Sequence, residues 1–188
     1  TDGENPTIAG MPANISLSND AGVCGAAASW TAPTSADNCG VASFTSTHTS
    51  GSTFGVGTTT VTYTATDAAG NTATASFNVV VTDDEDPVIS NVPANISVTS
   101  DASQCGAIVN WTAPTASDNC SVTSFPSTYD SGDFFAVGSH TVSYSAMDAA
   151  GNAVTASFTV TVTDGEAPAI SDIPADITVS NDAGQCGA

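Results

Sequence analysis

The stretch TVTYTATDAAGNTATASFNVVVT at residues 60–82 decides the fold class of this chain. Apolar residues stand at every second position on both sides of Asp-Ala-Ala-Gly-Asn (67–71), a run of residues typical of tight turns. Alternation of this kind, with β-branched neighbours, predicts two half-buried antiparallel strands joined as a hairpin. The residues expected to face the core are Val61, Tyr63, Ala65, Phe77, Val79 and Val81.

The hairpin sequence recurs at residues 141–163, and an 81-residue interval relates nearly every distinctive residue of the chain. Cys24, Cys105 and Cys186 follow one another at this interval, as do Trp30 and Trp111. A unit of this length exceeds a solenoid repeat, so each copy should have its own core. We therefore expect repeat 1 at 1–81, repeat 2 at 82–162, and the N-terminal part of a truncated third repeat at 163–188.

Other strand signals complete one module. They predict a first strand around Ile15 and Leu17, a second ending at Trp30, a third near 41–44 and a short one at Phe54. No segment has a helical period of useful length. The expected fold is all-β, with tandem immunoglobulin or fibronectin-III-like β-sandwich modules of 81 residues arranged as a rod.

The charge composition excludes several function classes. The chain has no Lys and no Arg but 19 Asp and Glu, which gives a net charge of −19. Such a chain cannot neutralise phosphates, so no nucleic-acid partner is expected. No apolar run is long enough for membrane insertion of this segment. No recurring catalytic constellation is present, and we expect no enzymatic activity.

The carboxylates also predict a metal site, because no Lys or Arg is available to pair with them. Acidic linkers recur before each repeat, and Asp-Asn pairs recur in two loops expected at the end where the chain enters a module. Carboxylate and amide oxygens suit Ca²⁺. A second interpretation is that these residues only form turns and keep the rod soluble. The candidate ligands are Asp2, Glu4, Asp37, Asn38, Asp67, Asn71, Glu85, Asp86, Asp118, Asn119, Asp148 and Asn152.

Ordered motifs at fixed spacing resemble the HYR, or hyalin-repeat, domain over the whole chain. The motifs of the second copy are Pro-Ala-Asn-Ile-Ser (93–97), Val-Asn-Trp-Thr-Ala-Pro (109–114), Asp-Asn-Cys (118–120), Val-Gly-Ser-His-Thr-Val-Ser-Tyr (137–144) and Asp-Ala-Ala-Gly-Asn (148–152). The resemblance implies extracellular adhesion or matrix assembly. The cysteine-containing form is most similar to copies in large bacterial surface adhesins, including those of gliding motility.

Five cysteines in a chain of extracellular type predict disulfides. The favoured pairing is Cys24 with Cys39 and Cys105 with Cys120, each closing a 15-residue loop worth about 3 kcal/mol. It requires residues 115–120 to fold back along the module. Otherwise Cys24 bonds to Cys120 of the next module and laces the rod covalently. The partner of Cys186 is expected outside the chain.

Two function classes remain open. The first is a stiff stalk or filament of a cell-surface adhesin, with Ca²⁺ and disulfides at its junctions and neighbouring repeats, or laterally associated copies in a fibre, as partners. The second is an adhesion module that recognises a surface glycan or protein ligand. The loops that differ most between copies are 47–55 and 128–136, and the second gains Tyr129, Phe134 and Phe135 as candidate ligand contacts. Near-identity of the copies favours the stalk.

Overall fold

A computed structural model describes residues 2–187, and its secondary structure is entirely β. It confirms the predicted fold class. Each complete module contributes eight strands. The strands of module 1 are β1 (Thr7–Ala9), β2 (Ile15–Ser18), β3 (Gly25–Ala27), β4 (Thr34–Ala36), β5 (Val41–Ser46), β6 (Thr53–Gly55), β7 (Gly57–Asp67) and β8 (Thr72–Thr82). Those of module 2 are β9 (Val88–Ser90), β10 (Ile96–Thr99), β11 (Gly106–Ile108), β12 (Thr115–Ser117), β13 (Val122–Ser124), β14 (Phe134–Ala136), β15 (Gly138–Asp148) and β16 (Ala153–Thr163).

A four-stranded sheet of order β2-β8-β7-β5 forms one face of module 1. The β7–β8 hairpin is antiparallel, and β2 joins it in parallel register, so the start and end of the module lie side by side. Two short pairs, β3-β6 and β1-β4, cover the opposite side. Module 2 repeats this arrangement with β10-β16-β15-β13, β11-β14 and β12-β9. The predicted hairpin is confirmed in both copies.

The core lies between the two layers of each module. Val61, Val79 and Val142 are fully buried, as the alternating pattern requires. A tryptophan outside the strands closes the core: Trp30 Nε1 donates to Tyr63 Oη at 2.8 Å, and Trp111 Nε1 donates to Tyr144 Oη at the same distance. Each indole is therefore held by a hydrogen bond as well as by packing.

The predicted second strand is shorter than the sequence indicates, since β3 ends at Ala27, before Trp30. The reason is that a serine side chain forms the hydrogen bonds that a neighbouring strand would otherwise form with this backbone. Ser50 Oγ accepts from Trp30 N and donates to Trp30 O, both at 2.8 Å. Ser131 forms the same two hydrogen bonds with Trp111. A loop hydroxyl thus satisfies the backbone that a neighbouring strand would otherwise bind.

Residues 164–187 contain no strand, and their apolar side chains are exposed. Ile177 is 84% exposed, whereas its equivalent in module 2, Ile96, packs against the core. Over the described residues, no helix is long and apolar enough to cross a membrane. The 81-residue interval continues into this segment, but the segment forms none of the strand pairs that cover the equivalent residues in module 2.

Gly25→Ala is expected to destabilise module 1 by about 1–3 kcal/mol, because a Cβ at Gly25 would press against the backbone carbonyl oxygen of Phe54 on the paired strand. The backbone of Phe54 cannot move aside without breaking the β3-β6 pair. The matched control is Gly55→Ala on that partner strand, where a Cβ would meet nothing within 4 Å. Chemical denaturation checks both variants. Equal midpoints would contradict the close approach of these strands.

Candidate functional site at the module junction

The loop that leaves β2 presents the first half of the junction. Asp20 closes this loop, since its backbone N donates to Gly25 O at 2.7 Å and its carboxylate accepts from Ala27 N at 3.0 Å. Gly22 has a φ of +71°, and its equivalent Ser103 has a φ of +61°. The left-handed residue turns the chain so that Cys24 is exposed at the end of module 1.

A disulfide joins Cys24 of module 1 to Cys120 of module 2, across 96 residues, with the two Cα atoms 4.7 Å apart. The favoured within-module pairing of Cys24 with Cys39, and of Cys105 with Cys120, is therefore wrong, and the alternative across the junction is correct for this pair. Cys39, Cys105 and Cys186 are exposed free thiols. Beside the disulfide, Asn119 Nδ2 donates to Val23 O at 3.2 Å.

Strand pairing explains why the within-module disulfide does not form. It required residues 115–120 to fold back along the module. Instead, β12 pairs with β9, the first strand of module 2. The Asp118-Asn-Cys120 segment is thereby held at the end where the chain enters. Cys105 lies in the loop between β10 and β11, at the end where the chain leaves the module, since β10 runs parallel to β16. The same arrangement of β4 and β1 separates Cys39 from Cys24.

The linker 83–86 is fastened to module 1 by hydrogen bonds. Glu85 Oε2 accepts from Gly22 N at 2.8 Å and from Asn19 Nδ2 at 3.3 Å. Asp84 N donates to Asn19 Oδ1 at 3.1 Å, and Asp84 Oδ2 accepts from Ser18 Oγ at 2.7 Å. Glu166 repeats the first contact after module 2 by accepting from Ser103 N at 3.0 Å. The linker is thus bound to the loop that carries the cysteine.

Two acidic groups occupy equivalent positions in the two modules. In module 1 the carboxylates of Asp2, Asp37 and Asp67 lie within 4.8 Å of one another. In module 2 Asp83, Asp118 and Cys120 do so. The sulfur of Cys120 is bonded to Cys24, so only oxygen ligands are available in that group. Each set combines the linker and the Asp-Asn-Cys loop, and the set of module 1 also includes the hairpin turn.

The hairpin turn fixes a buried carboxylate in each module, and in module 1 this carboxylate, that of Asp67, belongs to the acidic group. Asp67 is 3% exposed, and its Oδ1 accepts from Gly70 N at 2.7 Å and Asn71 N at 2.8 Å. Asn71 Nδ2 donates to Asp67 Oδ2 at 2.7 Å. Burial raises the pKa of Asp67, but the hydrogen bonds from Asn71, Gly70 and Ala69 outweigh it and leave the pKa below the ordinary value. Asp148 in module 2 has the same partners and the same direction of pKa shift.

Some oxygens in these groups lack any partner. Within the described residues, Asp2 Oδ2, Asp118 Oδ2 and Asn119 Oδ1 are buried and accept no hydrogen bond. The other oxygen of Asp118 accepts from Cys120 N at 2.9 Å and Ser121 N at 3.1 Å, which leaves only Oδ2 without a partner. Asp2 also raises the pKa of the Cys39 thiol through a hydrogen bond and its charge. Negative charge accumulates here without a compensating donor.

The structure brings together part of the predicted ligand set. Glu85 binds the loop of module 1 through Oε2 and belongs to neither acidic group. Neither of the two groups found among residues 2–187 includes Glu4 or Asp86. Asn71 and Asn152 use their amide nitrogens to hold Asp67 and Asp148. Asp83 was missed, although it follows Asp2 at the 81-residue interval that organised the rest of the prediction.

The predicted ligand loop of module 2 has one exposed aromatic ring. Phe135 is 1% exposed and belongs to the core, so its proposed ligand contact is wrong. Tyr129 is half-buried and packs on Phe135, with ring centroids 4.8 Å apart. Phe134 is 52% exposed and pairs across the strands with Ile108, which is 58% exposed. Thr53 and Ala27 hold these positions in module 1.

Comparison with known proteins finds relatives of these repeats. Hyalin of Strongylocentrotus purpuratus is 41% identical over 100 residues, which cover 51% of this chain and 8% of hyalin. Hyalin of Lytechinus variegatus is 38% identical over 99 residues, covering 51% of this chain and 19% of that protein. The matched part therefore spans less than a fifth of either relative.

Solved protocadherin structures align with most of the chain at low similarity. Protocadherin gammaB7 EC3-6 has a TM-score of 0.40 at 17% identity and covers 85% of this chain and 51% of its own. Human protocadherin-24 EC1-2 has a TM-score of 0.31 at 16% identity, with 86% and 98% covered. The model of the HYR domain matches twice, at residues 1–81 and 82–162. The chain therefore belongs to the HYR domain family.

Proposed function

We propose that this chain is part of an extracellular array of HYR modules that forms the stiff stalk or filament of a cell-surface adhesin. The observation that carries the proposal is the junction, where a disulfide and the Glu85 hydrogen bonds join module 2 to the same loop of module 1. A linker bound on two sides cannot act as a flexible hinge. Length and stiffness are the properties that such an array provides.

The repeat interval extends this junction along an array. Cys39 is the equivalent of Cys120, and Cys105 is the equivalent of Cys24. We propose that in an array Cys39 bonds to a preceding module and Cys105 to a following one. Persistent disulfides belong to oxidising compartments, which supports an extracellular location. Neighbouring repeats of the same polypeptide are then the first partners of each module.

The acidic groups support calcium as a third component of the junction. Their carboxylates converge, they include buried oxygens without hydrogen-bond donors, and the chain contains no Lys or Arg to neutralise them. Calcium takes six to eight oxygen ligands in flexible geometry and accepts carboxylates, carbonyls and water together. Asp2, Asp37 and Asp67 would hold one ion, and Asp83 and Asp118 would hold another beside the disulfide.

Removing Ca²⁺ with EGTA is expected to lower the melting temperature and to loosen the junction, although the disulfide still joins the two modules. A ligand present at a hundred times its Kd stabilises the folded state by about 2.7 kcal/mol, and this contribution disappears with the ion. Differential scanning calorimetry measures the stability. Small-angle X-ray scattering measures the stiffness through the maximum dimension of the particle and the range of conformations that fit the curve.

Two variants make this experiment specific. Asp118→Asn should remove the part of the Ca²⁺ response that arises at the junction, since it removes the charge of a carboxylate with an unpaired buried oxygen. The ion held by Asp2, Asp37 and Asp67 should still bind and stabilise module 1. Asp176→Asn removes one negative charge from the exposed segment 164–187 and should leave the response intact. If wild-type protein melts and scatters identically in Ca²⁺ and EGTA, no structural calcium is bound.

One observation favours a second function in module 2. Phe134 and Ile108 form an exposed apolar pair that module 1 lacks, and such a pair could contact a glycan or protein ligand. The stalk remains the preferred function, because the junction contacts occur in both modules and the apolar pair in only one. Ligand binding that is lost in Phe134→Thr, which restores the residue of module 1, would favour the adhesion module.

A further inference from the structure

The outer face of the β2-β8-β7-β5 sheet carries no charged residue. Residues that alternate with the core positions point outward there, and almost all are Ser or Thr. We name this surface the hydroxyl face. In module 1 it consists of Ser16, Ser18, Ser43, Thr45, Thr58, Thr60, Thr62, Thr64, Thr66, Thr72, Thr74, Ser76, Asn78, Val80 and Thr82.

Module 2 repeats most of the hydroxyl face, but Met147 replaces Thr66, Ala153 replaces Thr72 and Pro126 replaces Thr45. Its members on the equivalent strands are Ser97, Thr99, Ser124, Ser139, Thr141, Ser143, Ser145, Met147, Ala153, Thr155, Ser157, Thr159, Thr161 and Thr163. All 19 carboxylates of the chain lie in loops, in linkers, at strand ends or in the segment 164–187. Charge is therefore segregated from the centre of this surface in both modules, and in module 1 the Asp84 carboxylate meets its edge by accepting from Ser18 Oγ.

The composition limits how two copies of this chain can meet. Without Lys or Arg, an interface between copies contains no ordinary ion pair, and any surface that carries carboxylates repels its own copy. A hydroxyl both donates and accepts a hydrogen bond. A surface of hydroxyls is therefore complementary to itself, which is the requirement for a two-fold interface between identical molecules.

The central hydroxyls of the face are unused within the molecule. Over the described residues, Thr60 Oγ1 donates to Asn78 Oδ1 at 3.0 Å, whereas the hydroxyls of Thr62, Thr64 and Ser76 have no hydrogen-bond partner in the chain. Thr62 lies directly opposite Ser76 in the β7–β8 ladder. These groups are free to bond across an interface, while the threonine methyl groups supply apolar contact.

The area of the face suits repeated association. The two long strands have 11 residues each, which extends to about 37 Å, and four strands span about 19 Å. One module thus offers at most about 700 Å², slightly less than the ~800 Å² per partner of a standard interface. Two modules exceed that area, so association should strengthen along an array.

We propose that the hydroxyl face of each module packs against the hydroxyl face of a second copy of this chain. This proposal rests on the proposed stalk function, and it would make stalks associate laterally into a thicker fibre. Facing sheets would lie about 10 Å apart in the aligned packing of β-sandwiches. The net charge of −19 opposes this approach at low ionic strength. Salt screens that repulsion, so association should increase with salt concentration.

Sedimentation velocity of the 188-residue chain over a range of protein and NaCl concentrations tests the proposal. Wild-type protein should form dimers or larger species as salt rises. Ser76→Asp together with Ser157→Asp adds one charge at the centre of each hydroxyl face, and should weaken association by roughly tenfold or more because like charges would be brought together. Electron microscopy would then show thinner particles.

The control adds the same two charges to the other side of the sandwich. Thr53→Asp with Ala136→Asp alters exposed strand residues of β6 and β14 and should associate as wild type does. Circular dichroism verifies that both variants fold. A monomeric wild type at every salt concentration, or equal weakening in both variants, would overturn the proposal. A monomer that binds a glycan probe, dextran, through the hydroxyl face would also overturn it. Sedimentation reports the mass of the associated species, so failure of this proposal is distinguishable from failure of the stiffness and calcium tests.

Discussion

Replacing Cys24 and Cys120 together by serine is expected to lower the free energy of unfolding by about 4–5 kcal/mol. The disulfide closes a loop across 96 residues, and a crosslink of that span removes more chain entropy from the unfolded state than the 15-residue loop first expected, by about 1.5–2 kcal/mol. Urea unfolding of wild type and variant under non-reducing conditions measures the difference. Reduction of wild type should reproduce the stability of the variant.

The control for this experiment is Cys39→Ser with Cys105→Ser. It makes the same chemical change at two exposed residues that are not bonded to each other, and should alter stability by less than about 0.5 kcal/mol. Non-reducing digestion with a non-tryptic protease and mass spectrometry identifies the bonded peptides. A Cys24–Cys39 peptide, or equal stability of the two double variants, would contradict the crosslink between modules.

The sequence predicted the hairpin well because its information is local. Val61, Tyr63 and Val79 alternate with threonines, and the Asp-Ala-Ala-Gly-Asn turn has the composition that such turns need. The strand before Trp30 was predicted too long, because Ser50, 20 residues away, satisfies the backbone of Trp30 in place of a neighbouring strand. The alternation of apolar residues along the sequence does not reveal such a hydrogen bond from a distant side chain.

The candidate site was less predictable because it depends on where chain segments meet. Sequence separation favoured Cys39 as the partner of Cys24, whereas the β4-β1 and β12-β9 pairs hold each Asp-Asn-Cys loop at the other end of the module. Glu85 and Asp83 are two residues apart, yet one binds the preceding module and the other faces Asp118. Composition alone cannot distinguish them. The 81-residue interval could have identified Asp83 from Asp2.

Trp111→Ala is expected to destabilise module 2 by about 3–5 kcal/mol. The indole packs edge-on against Phe158, with ring centroids 5.3 Å apart, and contacts Phe135 at 6.0 Å. Its removal opens a cavity beside fully buried residues and leaves Tyr144 Oη without its donor. Trp111→Phe keeps an aromatic ring and loses the N–H, so it should have a smaller effect.

The same substitution tests whether the modules unfold separately. The chain has two tryptophans, one in each module, so in Trp111→Ala the fluorescence reports Trp30 and module 1 alone, whereas circular dichroism reports both modules. If each module has its own core, the fluorescence transition stays at the wild-type position of module 1 while part of the dichroism signal is lost earlier. In the converse variant, Trp30→Ala, the fluorescence reports Trp111 and module 2 alone. That transition should stay in place while module 1 unfolds earlier. Coincident early transitions would instead mean that the junction makes the two modules one cooperative unit, because the disulfide and the Glu85 contacts would then couple their unfolding.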